Sequence, residues 1–261
     1  MTTFIRTSVS NAVATVAMAR PDLHNAFNDD MMRELIAGFE QLSQGGDARV
    51  IILAGEGKSF CAGADINWMK RMVGYTFEEN AADANLLAKM LRTIRECPKP
   101  VIARVHGTAY GGGVGLTAAC DIAVAVESAN FCLSEVKLGI IPAVISPFVM
   151  EKIGPGHMRR YGLTAERFDA REAQRIGLVS HVVATVDEMD RWMAQVCETL
   201  KANAPLAMAA CKKTLSEVAG VMWGEVQRLT TRRIAELRVS PEGQEGLKAF
   251  LEKRPPGWIE K

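Results

Sequence analysis

The spacing of apolar positions changes several times along the chain, and each change marks an element. Residues 12–18, 50–53, 101–105 and 122–126 are short, nearly continuous apolar runs rich in β-branched residues, and they predict buried strands. Between them the spacing lengthens. Met32, Leu35, Ile36, Phe39 and Leu42 share one face of a helix predicted over 29–42. A second helix is predicted over 78–94, and Pro98-Lys99-Pro100 ends that stretch. A short Ala-rich helix is expected just before the strand at 122–126.

Beyond residue 185 the strand signals stop. Helical spacing covers 187–202, 205–218, 225–237 and 241–253. Pro205 and Pro241 suit first-turn positions, and Ser240 is the expected N-cap of the last helix. The chain therefore divides into an α/β core, residues 1–185, and a helical part, residues 186–261. A helical tail of this kind closes a site or forms a subunit contact.

Composition narrows the partners. The 261 residues carry 31 Lys and Arg against 30 Asp and Glu, a net charge of +1. This argues against nucleic acid or a membrane as the main partner. The six cysteines show no CxxC pair and no ligand-like spacing with histidine, so no metal site is expected. Most lie among apolar residues, as buried reduced thiols do. The apolar runs fall short of membrane-spanning length and the N-terminus lacks a signal-peptide pattern, which predicts a cytoplasmic protein.

Two turns carry the candidate chemistry. Ser59-Phe60-Cys61-Ala62-Gly63-Ala64-Asp65 follows the predicted strand at 50–53, and Tyr110-Gly111-Gly112-Gly113-Val114-Gly115 follows the one at 101–105. Their small residues let a ligand atom approach the main chain. Two free N–H groups aimed at one oxygen stabilise an anion at a carbonyl. Glu135, in Leu133-Ser134-Glu135-Val136, is the candidate proton carrier. If extended, Phe131, Leu133 and Glu135 share one face. Such an acid is either solvated at an edge, as most glutamates are, or buried with a raised pKa suited to proton transfer. The two turns upstream favour the second reading.

Other motifs fail on context. Gly55-Glu56-Gly57-Lys58-Ser59 lacks the glycine a phosphate loop needs at position 52, which is Ile. Gly113 to Ala118 matches GxGxxA, but the strand at 122–126 starts too soon for a dinucleotide-binding crossover. Cys61 reads as a small residue in a tight turn, and His106 as an ordinary turn residue.

These residues resemble the enoyl-CoA hydratase/isomerase (crotonase) superfamily from about Arg20 to the C-terminus. Arg20-Pro21-Asp22-Leu23-His24-Asn25-Ala26-Phe27 is similar to its RPxxxNA(F/L) segment, Ser59–Asp65 to SFxAGAD, Gly107–Asp121 to GxAxGGGxxLxxxCD, and Asp169–Val179 to the segment with AxxxGLV. The resemblance implies a ββα spiral core with a C-terminal helical oligomerisation domain, packed as trimers or hexamers. It implies an acyl-CoA thioester substrate, with CoA as part of the substrate and no separate cofactor or metal. By resemblance, the N–H groups of Ala64 and Gly112 form the oxyanion hole. The backbone around Ala26, Ala62, Asp65 and Ile66 holds CoA, and Phe250 and Lys253 reach the nucleotide of a neighbouring subunit.

One departure stands out. Two-carboxylate hydratases of the family carry a glutamate where this chain has Gly115, so Glu135 is the one catalytic acid kept. Val144, Ile145 and Ser146 also replace part of the usual glycine-rich stretch. Residues 131–139, 141–149 and 240–254 resemble bacterial 3-methylglutaconyl-CoA hydratases of leucine degradation. The expected activity is thus hydration of a 2-enoyl-CoA. The alternatives are a Δ3,Δ2-enoyl-CoA isomerase and a non-catalytic or RNA-binding protein on this fold. Lys70, Arg71 and the arginines nearer the tail are candidate partners for a distal substrate carboxylate.

Overall fold

The computed structural model describes residues 3–219 and 221–259. It opens with a hairpin, β1 (Ile5–Ser10) and β2 (Val13–Met18), turned by Asn11 and Ala12 at φ 50° and 57°. The helix α1 (Asp29–Gln44) is capped by Asn28, whose side chain accepts from the Met31 amide. Its apolar face buries Met31, Met32, Leu35, Ile36 and Phe39, while Leu42 stays partly covered.

The strand β3 (Val50–Gly55) leads through a loop into α2 (Ile66–Met72) and α3 (Phe77–Glu96). Thr76 and Glu79 close a capping box on α3. Next come β4 (Val101–Val105), β5 (Ala109–Tyr110), α4 (Gly112–Ala119), β6 (Ile122–Val126) and β7 (Asn130–Cys132). They are followed by α5 (Ser146–Thr164), which breaks at Gly154, then β8 (Phe168–Asp169), α6 (Ala170–Arg175) and β9 (His181–Val183).

The main sheet has the order β1-β2-β3-β4-β6-β9 and is parallel except at the β1–β2 hairpin. Parallel strands need covered faces. Here α1 packs on β1, β2 and α3, and α4 packs between α3 and α5. A small second sheet, β5-β7-β8, carries the glycine turn away from the main sheet. Its parallel pair aligns Tyr110 with Cys132.

Four helices complete the chain: α7 (Val186–Ala202), α8 (Pro205–Val218), α9 (Trp223–Val239) and α10 (Pro241–Leu251). Met189, Met193 and Cys197 of α7 are buried, and this helix lies on β3, β6 and β9. The other three pack mainly on one another. Pro205 and Pro241 occupy first turns, and the Ser240 hydroxyl accepts from the Gly243 amide. Five cysteines are buried and free; Cys211, on α8, is exposed.

Candidate functional site

Two isolated parallel bridges bring the first small-residue turn against its neighbours, Phe27 to Ala64 and Cys61 to Ala109. In the first, the Phe27 amide donates to Gly63 O (2.8 Å) and the Asp65 amide to Phe27 O (2.9 Å). Backbone groups alternate sides along an extended segment. The N–H of Ala64 therefore faces away from Phe27, and among the described residues it meets no acceptor.

The second bridge joins the Cys61 amide to Thr108 O and the Tyr110 amide to Cys61 O, both 3.0 Å. It draws the two turns together. A Cβ placed on Gly63, at φ 92°, would stand 2.9 Å from Tyr110 O and 3.7 Å from Gly112 N. No larger residue fits there.

Gly111 is the N-cap of α4, with φ 50° and ψ −117° and no side-chain cap. Its amide donates to Cys132 O at 2.8 Å. Gly112 opens the helix, and its N–H finds no acceptor among the described residues. Such an unsatisfied helix start attracts negative charge. Thus the N–H groups of Ala64 and Gly112 lie on adjoining turns, both unengaged.

Glu135 sits beside them, by a route that differs from the extended reading. The strand β7 stops at Cys132, and one turn of 3-10 helix, Glu135–Leu138, follows and closes at Gly139 (φ 75°). Phe131 and Leu133 enter the core, while Glu135 turns out of their row. Its Oε1 lies 3.2 Å from where a Cβ of Gly111 would be. Its Oε2 is buried and receives no hydrogen bond among the described residues. Burial holds this carboxyl above the ordinary value of 4.5, against a smaller downward pull from its own backbone amide. A proton acceptor and two free N–H donors thus meet around the start of α4.

The remaining predicted residues divide. Ala26 and Ala62 flank the first bridge: Ala26 O accepts from Arg20 Nη1 (2.7 Å), and the Ala62 amide donates to His24 O (2.9 Å). The Asp65 carboxylate caps α2 through the amides of Asn67 and Trp68 and pairs with Arg20 at 2.7 Å. Burial pushes this carboxyl up, but Arg20 and the two amides outweigh it and hold it below its ordinary value. The side chain of Asp65 is therefore fully engaged. Ile66 is 70 % exposed at the start of α2, beside the turn. Phe250 is 81 % exposed at the end of α10, and Lys253 follows it. The chain's own fold packs α10 on α8 and α9 and does not bring these two residues to Glu135.

Cys61 is fully buried and its thiol is pushed up to about 12, which leaves it inert as a nucleophile. His106 meets Gly57 O through Nε2 at 3.0 Å. Arg71 is held by Asp29 at 2.6 Å, whereas Lys70 makes no ion pair among the described residues. A cavity of about 730 Å³, lined by Arg95, Cys97, Lys212 and Arg233 among others, lies apart from these groups. Among the described residues, no cluster of three His, Cys, Asp or Glu suited to a metal occurs, and no helix is long and apolar enough to cross a membrane.

Three residues that shape this site, Arg20, Asn25 and Phe27, lie in the quoted RPxxxNA(F/L) segment, but sequence reasoning assigns them no role of their own. Asn25 is fully buried and its Nδ2 donates to Glu56 O and Ser59 O, both at 2.8 Å. The signal was a buried-type polar residue directly before an apolar pair, which asks for internal partners.

The family profile described as "Enoyl-CoA hydratase/isomerase" matches residues 8–261. A crystal structure of an enoyl-CoA hydratase from Shewanella pealeana ATCC 700345 superimposes with a TM-score of 0.95 and 43 % identity, over 98 % of this chain and 96 % of that one. A protein of Rhodobacter capsulatus named "Probable enoyl-CoA hydratase" is 33 % identical over 97 % of this chain and 96 % of its own. The mitochondrial Delta(3,5)-Delta(2,4)-dienoyl-CoA isomerase of Dictyostelium discoideum is 32 % identical over 95 % and 87 %.

Proposed function

The chain belongs to the enoyl-CoA hydratase/isomerase family and has its crotonase-like α/β fold, and on that premise we propose that it hydrates a 2-enoyl-CoA, with 3-methylglutaconyl-CoA as substrate and a place in leucine degradation. The observation that carries the catalytic reading is Glu135, a half-buried carboxylate whose Oε2 is buried and free, beside two unengaged N–H groups.

The N–H groups of Ala64 and Gly112 receive the thioester oxygen. They gain most when negative charge gathers there, in the enolate, so they favour the transition state over the substrate. Glu135 takes a proton from water as its oxygen adds to C3, then returns that proton to C2. One water is consumed and the carboxylate is regenerated. A raised pKa suits both half-steps near neutral pH. The backbone around Ala26, Ala62, Asp65 and Ile66 forms the groove for CoA. The helices α8–α10 carry the contacts of a trimer or hexamer, in which Phe250 and Lys253 reach a neighbour's nucleotide.

The substrate assignment is supported by the resemblance of residues 131–139, 141–149 and 240–254, and it requires a cation for the distal carboxylate. Of the two cations on α2, Lys70 suits this role better than Arg71, which Asp29 already engages; the arginines nearer the tail are the other candidates. The test is a panel of straight-chain, branched and carboxylated enoyl-CoAs. Preference for 3-methylglutaconyl-CoA, lost in Lys70→Ala, supports the reading; equal rates across the panel overturn it.

A second reading is Δ3,Δ2-enoyl-CoA isomerisation. A lone carboxylate suffices for it, and position 115 offers glycine packed on Ile145 in place of an acid. Hydration of a 2-enoyl-CoA against isomerisation of a 3-enoyl-CoA, measured on one preparation, separates the two.

A further inference from the structure

We propose that Phe27 is a positioning residue of the oxyanion hole, one that braces both N–H donors, the first through its main chain and the second through its ring. The inference rests on the assignment of that hole to Ala64 and Gly112.

Phe27 acts through two different parts. Its backbone brackets Ala64 on both sides, accepting from Asp65 and donating to Gly63 (2.9 and 2.8 Å), so it sets the direction of the Ala64 N–H. Its ring edge fills the space beside Gly112: a Cβ there would run into Cζ and would stand 2.6 Å from Cε1. The first donor is thus tied to the main chain of residue 27, and the second rests against its side chain. Aligned donors lose much of their effect when displaced by an ångström, a cost of up to about 10²-fold in rate.

The surroundings leave Phe27 little freedom. It is 1 % exposed. Its ring backs onto Trp68 with centroids 6.1 Å apart, and the Trp68 indole N–H donates to Asp83 Oδ2 at 3.0 Å. On the backbone side, the Arg20 guanidinium grips Ala26 O and Asp65 Oδ2, both at 2.7 Å. That ion pair joins the two strands of the bridge next to the donor. A residue needed merely to fill the core would require the ring but no such clamp on the residues flanking its bridge.

The test compares Phe27→Leu, Phe27→Ala, Gly112→Ala and the double variant Phe27→Ala/Gly112→Ala. Each is checked by circular dichroism and thermal melting. The substrate is crotonyl-CoA, and the near-ultraviolet absorbance of bound acetoacetyl-CoA reports polarisation into its enolate. Phe27→Ala is expected to lower kcat by about 10- to 100-fold with KM changed less than about threefold, and to weaken the enolate absorbance while the thioester still binds. Gly112→Ala is expected to be severe in the parent, where the new methyl meets the ring, and much milder in the Phe27→Ala background. A folded Phe27→Ala with parental kcat and enolate band, or an equal cost of Gly112→Ala in both backgrounds, overturns the inference. If Phe27→Ala does not fold, Phe27→Leu, alone and paired with Gly112→Ala, gives the same comparison. If the parent neither turns over crotonyl-CoA nor polarises acetoacetyl-CoA, the hole assignment itself fails, an outcome distinct from a neutral Phe27.

Discussion

The carboxylate of Glu135 closes over Gly111, with Oε1 3.2 Å from the point a Cβ would occupy. At φ 50° and ψ −117°, Gly111 also holds a backbone conformation that L side chains avoid. Gly111→Ala should therefore do two things at once: strain the cap of α4 and push the carboxylate off the donors. The expected result is a lower melting temperature and a loss of at least about tenfold in kcat. A folded Gly111→Ala protein with parental kcat would show that this contact does not set the position of Glu135.

Glu135→Gln keeps the shape of the side chain and removes its ability to carry a proton. Turnover should fall by about 10²- to 10⁴-fold, the usual worth of a positioned acid or base. Binding of a CoA thioester, measured by titration calorimetry, should stay within a few-fold of the parent. Substantial residual activity would assign proton transfer elsewhere.

The same residue links activity and stability to pH. Burial raises the Glu135 pKa above 4.5, so the native state holds this proton more tightly than the unfolded chain does. The sign follows from linkage: the stabilisation is fully present below the unfolded pKa and is lost as pH rises through the native one. As pH rises through the native pKa, the half-buried carboxylate ionises at a cost in stability. Glu135→Gln should thus melt higher than the parent at pH 7, and the difference should shrink below pH 4.5. In the parent, kcat/KM should fall on the acid side with an apparent pKa above 4.5. A parent more stable than Glu135→Gln at pH 7 would contradict the burial argument.

What the sequence reveals depends on how far apart the partners lie. Helices such as α1 and α3 and strands β2, β3, β4 and β6 show in local apolar spacing, and the glycine turns are contiguous. Glu135 is legible through its apolar neighbours, although its 3-10 turn is not, because the row of Phe131 and Leu133 ends at the small sheet. The edge strand β1 is mostly exposed and carries no apolar alternation, so only its pairing with β2 reveals it. The helix α5 is obscured by Gly154 and Pro155 inside it. The pairs Arg20–Asp65, Phe27–Gly112 and Gly115–Ile145 join residues 30 or more positions apart and exist only in the folded chain.

The C-terminal helices leave large apolar side chains in water: Trp223, Val239, Leu247, Phe250 and Leu251 all stand exposed on α9 and α10. Exposed apolar surface on this scale marks an association site. Sedimentation at micromolar concentration should show a trimer or hexamer. Phe250→Asp should weaken the assembly and raise KM for a CoA thioester, if Phe250 serves a neighbour's nucleotide. A parent that sediments as a monomer would count against both roles.

Gly115 and Ile145 share one volume. A Cβ on Gly115 would stand 2.5 Å from Ile145 Cγ2 and 2.9 Å from Ile145 Cβ, with Leu91 Cδ1 at 3.7 Å. Ile145 is 2 % exposed and its Cβ cannot swing aside. By the resemblance, Gly115 stands where two-carboxylate members carry glutamate and Ile145 lies in their glycine-rich stretch, and the contact predicts that the two departures compensate. Gly115→Glu alone should overpack this contact, at a cost of about 1–3 kcal/mol, and lower the rate on crotonyl-CoA and 3-methylglutaconyl-CoA alike. Gly115→Glu with Ile145→Gly opens the space. The double variant should recover melting temperature and hydrate crotonyl-CoA, while a second anion near Glu135 disfavours a substrate with a carboxylated tail. Equal melting temperatures for Gly115→Glu with and without Ile145→Gly would show that the two positions are not coupled. The glycine would then owe its place to something other than the side chain opposite.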